Sequence, residues 1–199
     1  TKSDSIRIID VTELAILGDT ASADDEAKEI SWSSDGSSIA APRADGDVSI
    51  FDGDNLFLTR TLSGVHNTDV TCIDYSNNGQ FILTGDETGR YIVWNVSGGK
   101  YGQHRTINEG LVDCIFSPDS MNLALLGSSG LIEERSLGGE LINSQSVKGG
   151  MKLIFSANST YLHVGYSNNN LRGLATLESV DYNLVLETAF FHLVEDIAI

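Results

Sequence analysis

Side chains able to do chemistry are few in this chain, and their spacing argues against most of what they do elsewhere. It has four histidines, His66, His104, His163 and His192, and two cysteines, Cys72 and Cys114. His104 and His163 have no second ligand at short spacing, and no G-x-S-x-G, G-x-x-x-x-G-K-[ST], H-E-x-x-H or C-x-x-C occurs. Asp45-Gly46-Asp47 and Asp52-Gly53-Asp54-Asn55 look like the opening of a calcium loop, but the glycine required at the sixth place and the glutamate at the twelfth are missing. Asp-Gly is also a favoured hairpin dipeptide, so both are read as turns. No catalytic residue, metal or cofactor is expected, and the chain is read as not an enzyme.

The two cysteines are too few for a disulfide scaffold or a zinc site. Cys114 takes a slot that Ile30 and Ile73 fill elsewhere, so it is expected to be reduced, buried and apolar in role, which favours a reducing compartment. Two sequons, Asn95-Val96-Ser97 and Asn158-Ser159-Thr160, would suit a secreted protein, but Asn95 closes a strand and such triplets arise often by chance.

Composition is that of a globular domain: 199 residues, 41% hydrophobic, mean hydropathy near zero. No run of 18 apolar residues and no apolar leader occur, so the expectation is a soluble intracellular protein, cytoplasmic or nuclear, away from membranes. Twelve basic against 28 acidic residues give a formal charge of −16. Such a surface repels phosphate backbones, so no direct nucleic-acid binding is expected and a partner with basic segments is.

What positions these residues is a set of short strands. From His66 to Asn95 apolar residues alternate as Val70, Ile73, Tyr75, then Phe81 and Leu83, then Tyr91 and Val93, with Asn77-Asn78-Gly79, Gly85-Asp86 and Thr88-Gly89 between the sets. That is three antiparallel strands joined by tight turns. The end of the first strand recurs: Ile30-Ser31-Trp32-Ser33, Ile73-Asp74-Tyr75-Ser76, Cys114-Ile115-Phe116-Ser117 and Leu153-Ile154-Phe155-Ser156, each followed by a polar turn. The aromatics are 43, 41 and 39 residues apart, the spacing of a four-stranded propeller blade.

The unit from Gly64-Val65-His66 to Trp94-Asn95 resembles the WD-repeat family, whose repeats open near Gly-His and close on Trp-Asp. Asp4 to Val11 is similar to the third strand of a blade, and Phe191-His192 to Ile199 to the start of a further repeat. The resemblance implies an all-β, WD-repeat β-propeller with four complete four-stranded blades and two partial ones in an incomplete ring. The blades fall at about 1–18 (partial), 27–64, 66–107, 108–147, 148–188 and 189–199 (partial). A seven-bladed member would need roughly 280 residues at this period. Open edges of this kind pair readily, so completion of the ring by another chain or by self-association is a further expectation.

The resemblance also implies a hydrogen-bonded tetrad locking a blade, here His66, Thr84 and Trp94 with Thr88 in the place of the usual aspartate, Asp86 and Glu87 lying close by. The preceding repeat keeps Asp45 and Asp52 but has Phe51 for the tryptophan and no histidine; Arg135 stands at the tryptophan position of the next, and Asn168 to Asn170 replace the turn acid of the last. His66 is read as structural, since an imidazole committed to buried partners is not free for proton transfer.

Function then falls to the loops. In propellers those before the first strand and between the second and third converge at the channel mouth. Here they carry Arg43, Asp45, Asn67, Asp69, Glu87, Arg90 and Glu109, with Lys152 on a first strand, a mostly acidic rim suited to a basic or mixed peptide. The acidic stretch from Asp19 to Glu29 is read as a solvated loop, and Gly98-Gly99-Lys100 as a turn into the outer strand. The expected function is a noncatalytic scaffold docking partner proteins. Alternatives are an enzyme with a channel-centred site, as in quinoprotein-type propellers, with Asp74, Asp113 and Lys152 facing the axis, and a half-propeller completed by another chain. A fainter similarity, in Ile39–Pro42, Ala44–Phe51, Leu58–Ser63 and Val93–Asn95, is to the N-terminal propeller of the replication-fork adaptor family.

Overall fold

The structure is a computed structural model that describes residues 6–9, 12–13, 16–19, 29–43, 45–64, 66–105, 109–168, 171–178 and 184–191. Every regular element among them is a strand. β1 (Arg7–Ile9) and β2 (Ile16–Asp19) form a two-stranded antiparallel sheet. Four antiparallel four-stranded sheets follow, each wound in chain order. The first holds β3 (Ser31–Trp32), β4 (Ser38–Pro42), β5 (Val48–Asp52) and β6 (Leu58–Leu62). The second holds β7 (Val70–Tyr75), β8 (Phe81–Asp86), β9 (Arg90–Asn95) and β10 (Lys100–Arg105). The third holds β11 (Leu111–Phe116), β12 (Asn122–Gly127), β13 (Leu131–Ser136) and β14 (Leu141–Ser146). The fourth holds β15 (Gly150–Phe155), β16 (Tyr161–Asn168), β17 (Leu171–Glu178) and β18 (Leu184–Phe191). The sheets do not close into a ring. Phe191 belongs to β18, the last strand of the fourth sheet, not to the start of a further repeat, and residues 192–199 lie outside the described part.

The repeated serine after each aromatic explains the turn that follows. Its hydroxyl donates to an Asp or Asn two residues on, as in Ser33 to Asp35 (2.7 Å), Ser76 to Asn78 (2.8 Å), Ser117 to Asp119 (2.6 Å) and Ser156 to Asn158 (2.8 Å). The same oxygen accepts a backbone N–H five residues on, from Ser38, Phe81, Asn122 and Tyr161, each at 2.9 Å. One side chain thus stands in for a ladder partner at both ends of the hairpin. The turn needs a left-handed residue, and Gly36, Gly79, Ser120 and Ser159 supply it at φ 74°, 69°, 61° and 56°.

Alternate residues on each strand face opposite neighbours, so every sheet between two others is apolar on both faces. Ile82 and Ile92 pack toward the first sheet against Ala40, Val48 and Ile50; Leu83 and Val93 pack toward the third against Leu123 and Leu125. A third cluster joins Ala124, Leu126 and Ile132 to Leu153, Leu162 and Val164. Each of the Val, Leu and Ile side chains among these contributes about 1.5–3 kcal/mol on burial, and the contacts tie neighbouring blades to one another. Of the aromatics ending β3, β7, β11 and β15, Tyr75 and Phe116 are buried, Phe155 is partly buried, and Trp32 is 44% exposed. The outer strand β14 is largely exposed.

Candidate functional site

The second sheet carries a buried polar network. Thr84 near the end of β8 and Trp94 near the end of β9 face the first sheet, and the loop before β7 lays His66 beside them. Trp94 Nε1–H donates to Thr84 Oγ1 (2.9 Å), and Thr84 Oγ1 lies 2.8 Å from His66 Nε2. His66 Nδ1 lies 2.7 Å from Asp86 Oδ2. The arrangement assigns the neutral tautomer with the proton on Nδ1, so that Thr84 donates to Nε2 and every polar atom in the row has a partner. Burial pulls the His66 pKa below its ordinary value, outweighing the pull of Asp86 the other way. Burial alone would raise Asp86, but hydrogen bonds from His66 and Thr88 and from the backbone of Arg90 and Thr88 hold it below the usual carboxylate range.

The acid in this row is therefore Asp86, the last residue of β8, where the expectation put Thr88 in the turn. Thr88 serves the acid instead: its N–H and Oγ1 donate to Asp86 Oδ1 at 2.9 and 2.6 Å, and Arg90 N–H adds a third donor at 3.1 Å. Gly85, the residue before Asp86, leaves room for a neighbour from the inner strands.

That neighbour is a disulfide. Cys72 on β7 and Cys114 on β11 are bonded, with Cα atoms 5.6 Å apart and both residues fully buried. A Cβ at Gly85 would stand 2.6 Å from Cys72 Sγ and 2.7 Å from Leu111 Cδ1. This corrects the expected reduced thiols: the residues are as buried as anticipated, but the slot serves a covalent tie between neighbouring inner strands.

The tie has counterparts. Inner strands of successive sheets lie side by side, and side chains from the preceding repeat cap edge N–H groups that the ladders leave over. Glu29 Oε2 accepts Ile73 N–H (3.3 Å), and Asp113 Oδ2 accepts Leu153 N–H (2.6 Å). Counted from the strand-ending aromatic, Glu29, Cys72 and Asp113 each stand three before it, and Ile73, Cys114 and Leu153 two before it in the next sheet. A second row runs two residues along: Ser31 Oγ accepts Tyr75 N–H (3.0 Å) and Asp74 Oδ2 accepts Phe116 N–H (2.8 Å), whereas Ile115 at the third place has no acceptor to offer.

Lys152 on β15 crosses this region. Its Nζ donates to Asp113 Oδ1 (3.0 Å) and to Glu29, bringing the fourth sheet to a residue that precedes the first. Burial pushes Asp74 up to about 7, opposed by the Phe116 N–H and aided by the charges of Asp113 and Glu29. Burial likewise raises Asp113 against the pull of Lys152, and works against the Lys152 ammonium, where Glu29 and Asp113 outweigh it and hold its pKa above the ordinary lysine value. The three groups expected to face the axis, Asp74, Asp113 and Lys152, are thus spent on joining sheets. Among the described residues no cluster of three His, Cys, Asp or Glu side chains is placed to hold a metal ion.

The expected rim residues sit in loops at one end of the sheets. Arg43 and Asp45 flank the turn between β4 and β5 and pair at 3.3 Å. Asn67 and Asp69 lie before β7, and Asp69 O accepts Glu87 N–H at 3.3 Å. Glu87 and Arg90 bound the turn between β8 and β9, and Glu109 before β11 accepts Ser129 N–H and Ser129 Oγ–H, both at 2.8 Å. Each of these turns rests on the loop that opens the next sheet: a Cβ at Gly46 would stand 2.5 Å from His66 O, and one at Gly110 would stand 2.4 Å from Glu87 O. Lys152 lies apart from them, on a strand. Asn67 and Glu87 are exposed.

The WD domain, G-beta repeat family model matches residues 57–95, which span β6 to β9. The meiotic recombination protein rec14 of Schizosaccharomyces pombe is 30% identical over 124 residues, 62% of this chain and 41% of that protein. The chain thus spans about two fifths of the length of that relative. Among solved structures, a chain of a mitotic checkpoint complex aligns at TM-score 0.80 with 16% identity, over 93% of this chain and 58% of that one. The β-propeller domain of Myceliophteria thermophila Cps50 (Swd1) aligns at TM-score 0.72 with 15% identity, over 94% and 58%. Hydrazine synthase of Kuenenia stuttgartiensis aligns at TM-score 0.73 with 15% identity, over 83% and 49%. At these identities the structural likenesses speak for the fold alone.

Proposed function

We propose that this chain, a WD-repeat β-propeller, acts as a noncatalytic scaffold that docks partner proteins or peptides with basic segments on the rim formed by Arg43, Asp45, Asn67, Asp69, Glu87, Arg90 and Glu109. The observation that carries the reading is a division of labour among polar groups. His66, Thr84, Trp94 and Asp86 are consumed inside a blade, and Glu29, Asp74, Asp113 and Lys152 between blades. Asn67 and Glu87 at the rim are exposed, and the chain's formal charge of −16 favours a basic partner through charge-assisted hydrogen bonds. The relative's name, a meiotic recombination protein, supports an intracellular setting with protein partners. The Cys72–Cys114 bond pulls the other way, since disulfides are rare in reducing compartments. The blade boundaries at 27–64, 66–107 and 108–147 belong to the same proposal, the fourth blade running from 148 through the end of β18.

The test is affinity capture with cross-linking, comparing the native protein with Asn67→Arg/Glu87→Arg. We expect a partner whose cross-links fall on the rim and whose recovery drops roughly tenfold in the variant. Equal recovery with cross-links elsewhere contradicts the rim.

A second reading rests on the face of the fourth sheet turned away from the third, where Ile154 and Leu174 are exposed. Association through that face, with further blades or another chain, would cover it. Light scattering separates the cases: a concentration-dependent rise in mass supports self-association, and a fixed monomer mass contradicts it.

A further inference from the structure

Between the outer edge of the first sheet and the turn joining β9 to β10 lies a cavity of about 430 Å³, lined by Arg60, Thr61, Leu62 and Ser63 on one side and by Trp94, Gly98, Gly99 and Lys100 on the other. Its volume falls in the range of small-ligand sites, roughly 300–1,000 Å³. Its Ser63 end adjoins the turn that carries Asp45, through Asp47, and its Arg60–Lys100 end lies along β6 and the β9–β10 turn.

The charge of this groove is opposite to that of the chain. Arg60 and Lys100 are both exposed, and among the described residues neither has a carboxylate within ion-pair distance. Arg43, Arg135 and Lys152, by contrast, are each paired with an acid. Arg60 is held in place: its Nη1 donates to Val96 O at 2.6 Å, and it lies against Gly98, where a Cβ would stand 3.2 Å from that nitrogen. Gly98 and Gly99 adopt φ 110° and 114°, values that other residues rarely adopt, so the Gly-Gly turn lets the guanidinium approach the backbone. Lys100 lies with Nζ 6.0 Å from the centre of the Trp94 ring, which steadies the ammonium beside an indole that is itself tied to Thr84. The far end of the groove is less welcoming to an anion, because Ser63 Oγ–H and Gly64 N–H already donate to Asp47.

We infer that the Arg60–Lys100 end of this groove binds a phosphate monoester carried on a serine or threonine of a partner segment. Two positive charges lining one groove match a phosphate dianion, and a guanidinium together with a point-charge ammonium offers both directed and undirected contacts to its oxygens. The source is a side chain, not free phosphate, because the buried Leu62 and Trp94 beneath the cations give the groove an apolar floor that a stem occupies and an inorganic ion does not. The proposal does not rest on the rim: it concerns a different surface and a ligand of opposite charge.

The test is amide chemical-shift titration of the full chain with the peptide Gly-Gly-phosphoserine-Gly-Gly, its unphosphorylated counterpart and inorganic phosphate, all at one ionic strength. We expect saturable shifts at Gly98, Gly99 and Lys100 with the phosphopeptide, roughly tenfold tighter than with inorganic phosphate, and none with the unphosphorylated peptide. Arg60→Gln/Lys100→Gln should weaken the phosphopeptide roughly tenfold or more, while Lys100→Arg retains it. The Trp94 indole N–H resonance reports that the blade is intact in each variant. Absence of saturable shifts, equal affinity in the double variant, or inorganic phosphate binding as tightly as the phosphopeptide overturns the proposal.

Discussion

Asp113 accepts the backbone N–H of Leu153 at 2.6 Å from the same two repeat positions that Cys72 and Cys114 occupy one sheet earlier. A carboxylate–amide bond and a disulfide are thus alternative answers to one geometric problem, the unpaired inner edge of each sheet. Glu29 and Ile73 repeat the first answer with a longer bond of 3.3 Å. The blades are joined by apolar faces along their width and by these ties along the channel.

The covalent tie closes a loop of 42 residues and should contribute about 2–4 kcal/mol. Reduction is expected to lower the melting temperature by about 5–12 °C, as followed by circular dichroism with and without a phosphine reductant. The reduced protein and Cys72→Ala/Cys114→Ala should then melt within a few degrees of each other. Unchanged melting on verified reduction contradicts the tie.

Thr84→Val keeps the shape of the side chain and removes the hydroxyl between Trp94 and His66. Two buried polar atoms, Trp94 Nε1–H and His66 Nε2, lose their partner, and a cost of about 2–4 kcal/mol is expected in chemical denaturation. Thr88→Val removes a donor to Asp86 nearer the surface and should cost less. The reverse order of the two losses contradicts the network.

Two buried groups make stability depend on pH with opposite signs. Asp74, raised from 3.8 to about 7, gives a contribution that is complete below 3.8 and lost as pH rises toward 7. His66, lowered from 6.5, gives one that is complete above 6.5 and lost as pH falls through its folded value. Asp74→Asn keeps an oxygen for Phe116 N–H and removes the first dependence. It is expected to raise the melting temperature at pH 8 by about 3–8 °C, to leave it unchanged near pH 4, and to expose the His66 slope between pH 7 and 5. A variant less stable than the native protein at pH 8 contradicts the buried, raised carboxyl.

Much of the architecture was legible because it is local and repeated. The serine after each aromatic, with Asp35, Asn78, Asp119 or Asn158 two residues on, encodes a hairpin by hydrogen bonds that span five residues, so a linear reading reaches it. The family pattern puts the network acid in the turn, at Thr88, two residues past Asp86, and only the geometry brings Asp86 onto His66. The Cys72–Cys114 bond does carry a signal in the sequence: two cysteines about one repeat apart face each other when repeats stack. The Arg60–Lys100 groove left none, since its sides come from different sheets and neither basic residue is marked by its neighbours in the chain.

The equivalence of the inner-edge positions is tested most directly by moving the disulfide. In a Cys72→Ala/Cys114→Ala background, Asp113→Cys/Leu153→Cys occupies the corresponding pair one sheet on, and Asp113→Cys/Phe155→Cys is displaced by two residues. Non-reducing peptide mapping should find the first pair linked after air oxidation and the second free. Linkage of the displaced pair, with Asp113→Cys/Leu153→Cys remaining as thiols, would contradict the stacking of one inner strand on the next in this register.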